Sequence, residues 1–299
     1  AVVEDVLTIA KDRFPAKRYG ILMSSHGTGW APQGYCYSPP DKSSSSIWGL
    51  NAEGYDGPAK YHEERPLLKS IGAHYNGSAA RSIEIEIQDL ADAIPMHLDY
   101  ILFDACLMGG VEVAYELHEK TDMIGFSQTE VLAEGFDYKQ LTTHLLQNEE
   151  ADPERVCEDY FVQYDIQDGV YRSATISLVD CTMMDELVSV CRNLFDTYRE
   201  QIRSLDPDGV QQFFRSSYHW FYDLESIIME AGASEEEIAG LHDALEQCVL
   251  FKGHTPEFMN EFKIDVFSGF SMYLPCNGSS ELNKFYKTLQ WNKATGLVE

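Results

Sequence analysis

Hydrophobic and polar positions change rhythm several times along the chain, and each change predicts an element. Over residues 2–13, Val3, Val6, Leu7 and Ala10 recur at helical spacing, and Pro15 closes the segment. The run Tyr19–Ser25 is short and apolar, which predicts a buried strand. From Gly27 to about Gly57 the sequence is loop-like, and Pro39–Ser46 (PPDKSSSS) is its most open stretch, the kind that proteases reach. Residues 83–94 carry two rhythms. Ile83, Ile85 and Ile87 alternate as in a strand, whereas Ile83, Ile87, Leu90 and Ile94 mark a helix face. The extension Asp89–Ala93 and the stop at Pro95 decide for a helix.

Tyr100–Ala105 (YILFDA) is the next buried strand, Gly109-Gly110 opens a helix reaching Glu119, and Met123–Ser127 forms a third strand. Strands alternating with helices predict a parallel sheet with helices on both faces. The second half is predominantly helical, over Asp152–Gln163, Met183–Ile202, Val210–Ala231 and Glu235–Phe251. Ala174–Val179 and Phe267–Leu274 are expected to return to the sheet as strands. No repeat or linker divides the 299 residues, so one domain is expected.

Charge narrows the function classes. The chain has 22 Lys plus Arg against 49 Asp plus Glu, a formal net charge of -27. That balance excludes a nucleic-acid binder and suits cationic substrates or divalent ions. Cys36, Cys106, Cys157, Cys181, Cys191, Cys248 and Cys276 form no CxxC pair, and most read as small core residues. No apolar run approaches the roughly 20 residues of a membrane span. The chain opens directly in a helical pattern, without a signal peptide, as a processed or trimmed form would.

Functional residues of an open parallel sheet gather beyond the carboxyl ends of its strands. Two predicted strand ends carry reactive groups: His26 and Cys106. Adjacent parallel strands would unite them across 80 residues of sequence. A cysteine nucleophile attacks as thiolate, favoured by a nearby imidazole or by helix-opening amides. Those amides, with that of Gly27, are candidate oxyanion donors. Other chemistries fit less well. Gly27-Thr28-Gly29 satisfies neither phosphate-loop pattern, and HExxH and GxSxG are absent. His62-Glu63-Glu64 and His74 show no metal-ligand spacing, and Asp206-Pro207-Asp208-Gly209 reads as a turn.

The segments Ser25-His26-Gly27 and Asp104-Ala105-Cys106-Leu107-Met108-Gly109 resemble the clostripain family of cysteine peptidases. The likeness continues through Ile87–Ile94, Val111–Leu117 and Ser127–Glu130, and resumes at Phe267–Pro275. It implies a caspase-like α/β fold: a three-layer sandwich with a mostly parallel central sheet flanked by helices. Residues 1–299 would form one peptidase domain, with 150–260 as a helical elaboration. The family's first strand and helix would lie ahead of residue 2.

The resemblance further implies an endopeptidase with Cys106 as nucleophile and His26 as acid/base, cleaving after Arg or Lys. Asp104 would be the pocket acid, Glu130 and Glu134 would line the pocket, and Thr129 would bind the substrate backbone. Self-cutting is expected at a basic residue between His26 and Cys106, foremost Lys42, then Lys60 or Arg65. No cofactor is required, although Ca²⁺ is compatible with the acidity. The expected partners are peptides or proteins with Arg or Lys at the cleavage site, for a monomeric enzyme that is secreted or extracytoplasmic. A catalytically silent relative that binds basic peptides is the competing expectation.

Overall fold

The computed structural model describes residues 2–25, 27–32, 85–147, 150–215 and 219–299. Helix α1 (Val2–Arg13) precedes strand β1 (Gly20–Ser24). Helix α2 (Ile87–Ala93), strand β2 (Leu98–Asp104), helix α3 (Val111–Leu117) and strand β3 (Thr121–Phe126) follow. The ambiguous stretch is helical from Ile87, where four side chains bury at helical spacing. Helix α4 (Tyr138–Leu146) was not expected from the sequence. It is capped by the Asp137 carboxylate, which accepts the N–H groups of Lys139 and Gln140.

Helix α5 (Pro153–Asp165), strand β4 (Thr175–Asp180) and helix α6 (Met184–Arg203) continue the chain. Beyond them the second half departs from expectation. Among the described residues of Val210–Ala231 only α7 (Leu224–Glu230) is an α-helix, preceded by the short strand β5 (Tyr222–Asp223). Helix α8 ends at Cys248 after starting at Glu235, and the chain straightens into β6 (Val249–His254). Two short strands, β7 (Glu257–Phe258) and β8 (Phe262–Lys263), form a hairpin. Strand β9 (Ser271–Met272) pairs with β5 rather than with the central sheet, and Ser271 bridges to Gly110. Helices α9 (Ser280–Tyr286) and α10 (Gln290–Thr295) close the fold.

The central sheet runs β1-β2-β3-β4-β6. The first three strands are parallel, and β4 is antiparallel to both β3 and β6. Four strands therefore share one direction. In β2 only Asp99 is less than buried, as expected of a strand covered on both faces. Strand β1 differs from the expected buried strand: it is the first in order among the described strands of the sheet and is exposed or half-buried throughout. Helix α5 packs beside β4 and β6 and carries α4 against it, while α3, α6, α8 and α10 form a second contacting group. The four strands that share a direction end on one side, where β1 and β2 lie in adjacent positions.

Candidate active site

Strand register brings the two reactive segments together. Ser24 of β1 pairs with Asp104 of β2, and the Ser25 N–H donates to the Asp104 carbonyl at 3.2 Å. His26 lies outside the described residues, as does Lys42. Gly27 packs so tightly on the Cys106 peptide that a Cβ would lie 2.2 Å from the Cys106 carbonyl oxygen. Gly29, at φ +61°, turns the chain against Leu107, and only glycine enters that region freely. The buried Trp30 ring then anchors the segment, edge-on to Tyr273 and Tyr286 at 4.9 and 5.0 Å. These contacts hold the chain on the C-terminal side of position 26 against the Cys106 turn.

Cys106 lies two residues beyond the end of β2 and is 1% exposed. The next residue, Leu107, has φ 60°, a left-handed conformation that costs a non-glycine residue about 1–3 kcal/mol. The turn is held by a neighbouring segment. Leu107 N–H donates to the Thr129 carbonyl at 2.9 Å, and Gly109 N–H to the Ser127 carbonyl at 2.7 Å. Those two amides are thus committed to the neighbouring segment. An amide of the loop after β3 reaches the sulfur: Val131 N–H donates to Cys106 Sγ at 3.2 Å, and the Val131 carbonyl lies 3.9 Å from the same sulfur. A donor aimed at sulfur favours thiolate over thiol.

Asp104 is fully buried, with its carboxylate accepting from Ser24 Oγ at 3.3 Å and from the Tyr138 hydroxyl. Tyr160 lies close enough for Asp104 and Cys106 to act on its phenol, which burial above all pushes up. Thr129 is buried, and its hydroxyl lies within hydrogen-bond distance of Ser127, Thr175 and the Glu130 carbonyl. Its bonds brace the loop internally. Glu130 is also inside, 2% exposed, with Arg215 Nε at 2.8 Å from Oε2 and Nη2 at 3.2 Å from Oε1. Burial raises its carboxyl above the usual range, and the Arg215 charge partly opposes this. Glu134 is exposed and borders a cleft of about 520 Å³ with Asp137, Asp159 and Val162. Among the described residues, no group of three His, Cys, Asp or Glu side chains converges on a metal position.

Residues 72–296 match the family model Peptidase_C11, the clostripain family. The chain belongs to the clostripain family. It is a cysteine peptidase by that membership. An inactive zymogen C11 protease from Parabacteroides distasonis is 27% identical, with a TM-score of 0.74 over 97% of this chain and 74% of that one. A clostripain from Bacteroides thetaiotaomicron, in complex with the peptide inhibitor BTN-VLTK-AOMK, is also 27% identical. There the TM-score is 0.62, over 71% of this chain and 95% of that one. A secreted C11 cysteine protease from the same organism, at 23% identity, shares the fold with a TM-score of 0.74 over 98% and 76% of the two chains. No curated protein matches the chain. The fold is therefore the caspase-like α/β arrangement of mostly parallel strands flanked by helices.

Within this clostripain-family framework, sequence reasoning missed Val131, Tyr138 and Arg215. Only Arg215 left a trace. It is a lone cation in the aromatic stretch Phe213-Phe214-Arg215, in a chain poor in cations, and such a charge needs a buried acid. Among the described residues no helix is long and apolar enough to cross a membrane.

Proposed function

We propose that this chain is a secreted endopeptidase that cleaves after Arg or Lys, with residues 1–299 acting as one peptidase domain. The Cys106 thiolate adds to the scissile carbonyl carbon, and the Gly27 N–H donates to the developing oxyanion. His26 protonates the leaving amine, and water then hydrolyses the thioester. Asp104 receives the cationic side chain, since a buried guanidinium or ammonium requires a paired carboxylate.

The observation that carries this reading is the register of β1 on β2, with Gly27 seated on the Cys106 carbonyl. The cation preference draws support from the buried Asp104 carboxylate, and from a neighbour that binds a peptide inhibitor reading VLTK. Burial of Cys106 supports a latent form of the continuous chain, unlocked by a cut after Lys42.

Fluorogenic peptides with Arg or Lys before the scissile bond test the proposal. Cleavage should fall at least ~10³-fold in Cys106→Ala and about 10²–10⁴-fold in His26→Ala, with folding unchanged. Asp104→Asn should impair cleavage after Arg far more than alkylation of Cys106. N-terminal sequencing should find a cut after Lys42 that Cys106→Ala abolishes. A processed protein that binds basic peptides without cleaving them would establish the silent-relative reading instead.

A further inference from the structure

The Glu130–Arg215 pair stands apart from surface pairs such as Arg155–Glu158, whose acid and base both meet solvent. Two parallel N–H contacts from one guanidinium fix a carboxylate in position and in plane. Its place in the chain gives that rigidity a use. The peptide group that donates to Cys106 Sγ joins Glu130 to Val131, so the Glu130 backbone sets the direction of the N–H. Upstream the same loop is already tied down. Gln128 and Thr129 N–H groups donate to Thr175 Oγ1 at 3.0 Å each, and Ser127 and Thr129 carbonyls receive the turn after Cys106. Glu130 is the last side chain that can be clamped before the contact with sulfur. Arg215 arrives from a segment 85 residues away.

We propose that Arg215 is a positioning residue that, through its fork on Glu130, holds the Val131 N–H against Cys106 Sγ and so sets the reactivity of that thiol. The inference rests on the reading of Cys106 as nucleophile. It also changes the role of Glu130: its carboxylate is engaged by the chain's own arginine, and recognition of a substrate cation falls to Asp104. Burying an ion pair brings little net stability, whereas leaving one partner behind is costly, so the fork specifies geometry more than it stabilises the fold.

The test is the ionisation of Cys106, followed by ultraviolet thiolate absorbance against pH in the full chain. Each variant is measured against the same variant carrying Cys106→Ala, so that tyrosines and the other thiols cancel. This readout does not depend on solvent access to the sulfur. In Arg215→Ala and Glu130→Gln the apparent pKa of Cys106 should rise by about one unit, equivalent to roughly tenfold less thiolate below the pKa. Arg215→Lys, which keeps the charge without the fork, should fall between these variants and the parent. With Arg or Lys peptides, kcat should drop in step while KM changes little.

A Cys106 titration in Arg215→Lys and Glu130→Gln that superimposes on the parent overturns the proposal, even if Arg215→Ala fails to fold. So does a rise in cleavage on removal of Arg215, because the arginine would then be a competitor for the substrate site. If Cys106→Ala keeps full peptidase activity, the nucleophile reading fails, while the titration still decides whether the fork controls the thiol.

Discussion

A methyl group at position 27 would approach the Cys106 carbonyl oxygen to 2.2 Å and the Met108 sulfur to 2.9 Å. The first of these is backbone at a turn that already holds Leu107 at φ 60°, so it cannot yield cheaply. Gly27→Ala should destabilise the protein by about 1–3 kcal/mol in urea unfolding, as expected for overpacking. Because the displaced peptide carries Cys106, kcat/KM should fall by ~10² or more, out of proportion to the stability loss. At this scale, legibility depended on sequence distance. Cys106 and Gly27 stand out in the sequence because each follows a predicted strand end, where topology says which neighbours it meets, whereas Asp104 stands out only through the family resemblance. Val131, Tyr138 and Arg215 reach the site across 25, 34 and 85 residues, and no local pattern encodes such meetings.

Among the elements, β4 contributes more than pairing. The Thr175 hydroxyl at its start accepts the N–H groups of both Gln128 and Thr129 and lies 2.9 Å from Ser127 Oγ. It therefore replaces a sheet ladder at the point where the chain leaves β3. Thr175→Val keeps the shape but strands two buried donors, each costing about 1–3 kcal/mol, so a loss of about 2–6 kcal/mol is expected. Thr175→Ser, which keeps the oxygen, should lose about 1 kcal/mol or less, and urea midpoints distinguish the two. In the sequence Thr175 reads only as a strand former. The same blindness explains the errors in the second half. In Val210–Ala231 the early aromatics mimic helical spacing, yet His219 through Leu224 are buried without a break, and a helix cannot bury every side at its edge of the core. The Phe213 N–H donates to the Phe221 carbonyl instead, folding the segment back on itself. Val249–Phe251 continues the apolar pattern of α8, and periodicity alone could not tell that this short run straightens to pair with β4.

For the whole molecule, three buried titratable groups set opposing slopes of stability with pH. Burial pushes Glu112 up to about 7, although it accepts the Tyr273 N–H and the Tyr286 hydroxyl. Asp223, which caps α7 and receives the Ser268 N–H, is pushed up to about 6. Each keeps its proton in the folded state over a range where the unfolded chain has lost it. Their contribution is thus full below the unfolded carboxylate values and declines as pH rises through about 6 for Asp223 and about 7 for Glu112. His219 acts the other way. Buried, with Nε2 at 2.7 Å from Gln212 Oε1, its pKa falls to about 3, so the unfolded chain binds a proton that the folded one refuses. That disfavours folding as pH drops below the ordinary histidine range. Between the ordinary carboxylate and histidine values two falling contributions meet one rising one, and of these three groups Glu112 alone still declines above that range. The net charge of -27 adds self-repulsion of the same sign. Stability should therefore be greater near pH 5 than at pH 7.5. Glu112→Gln removes the largest falling contribution, so urea unfolding of this variant should lose much of the difference between the two pH values, of order 3 kcal/mol at most. His219→Gln should do the reverse and steepen the decline with pH. If the parent proves more stable at pH 7.5 than at pH 5, the Glu112 carboxyl is ionised in the folded protein and its burial is offset by partners beyond Tyr273 and Tyr286.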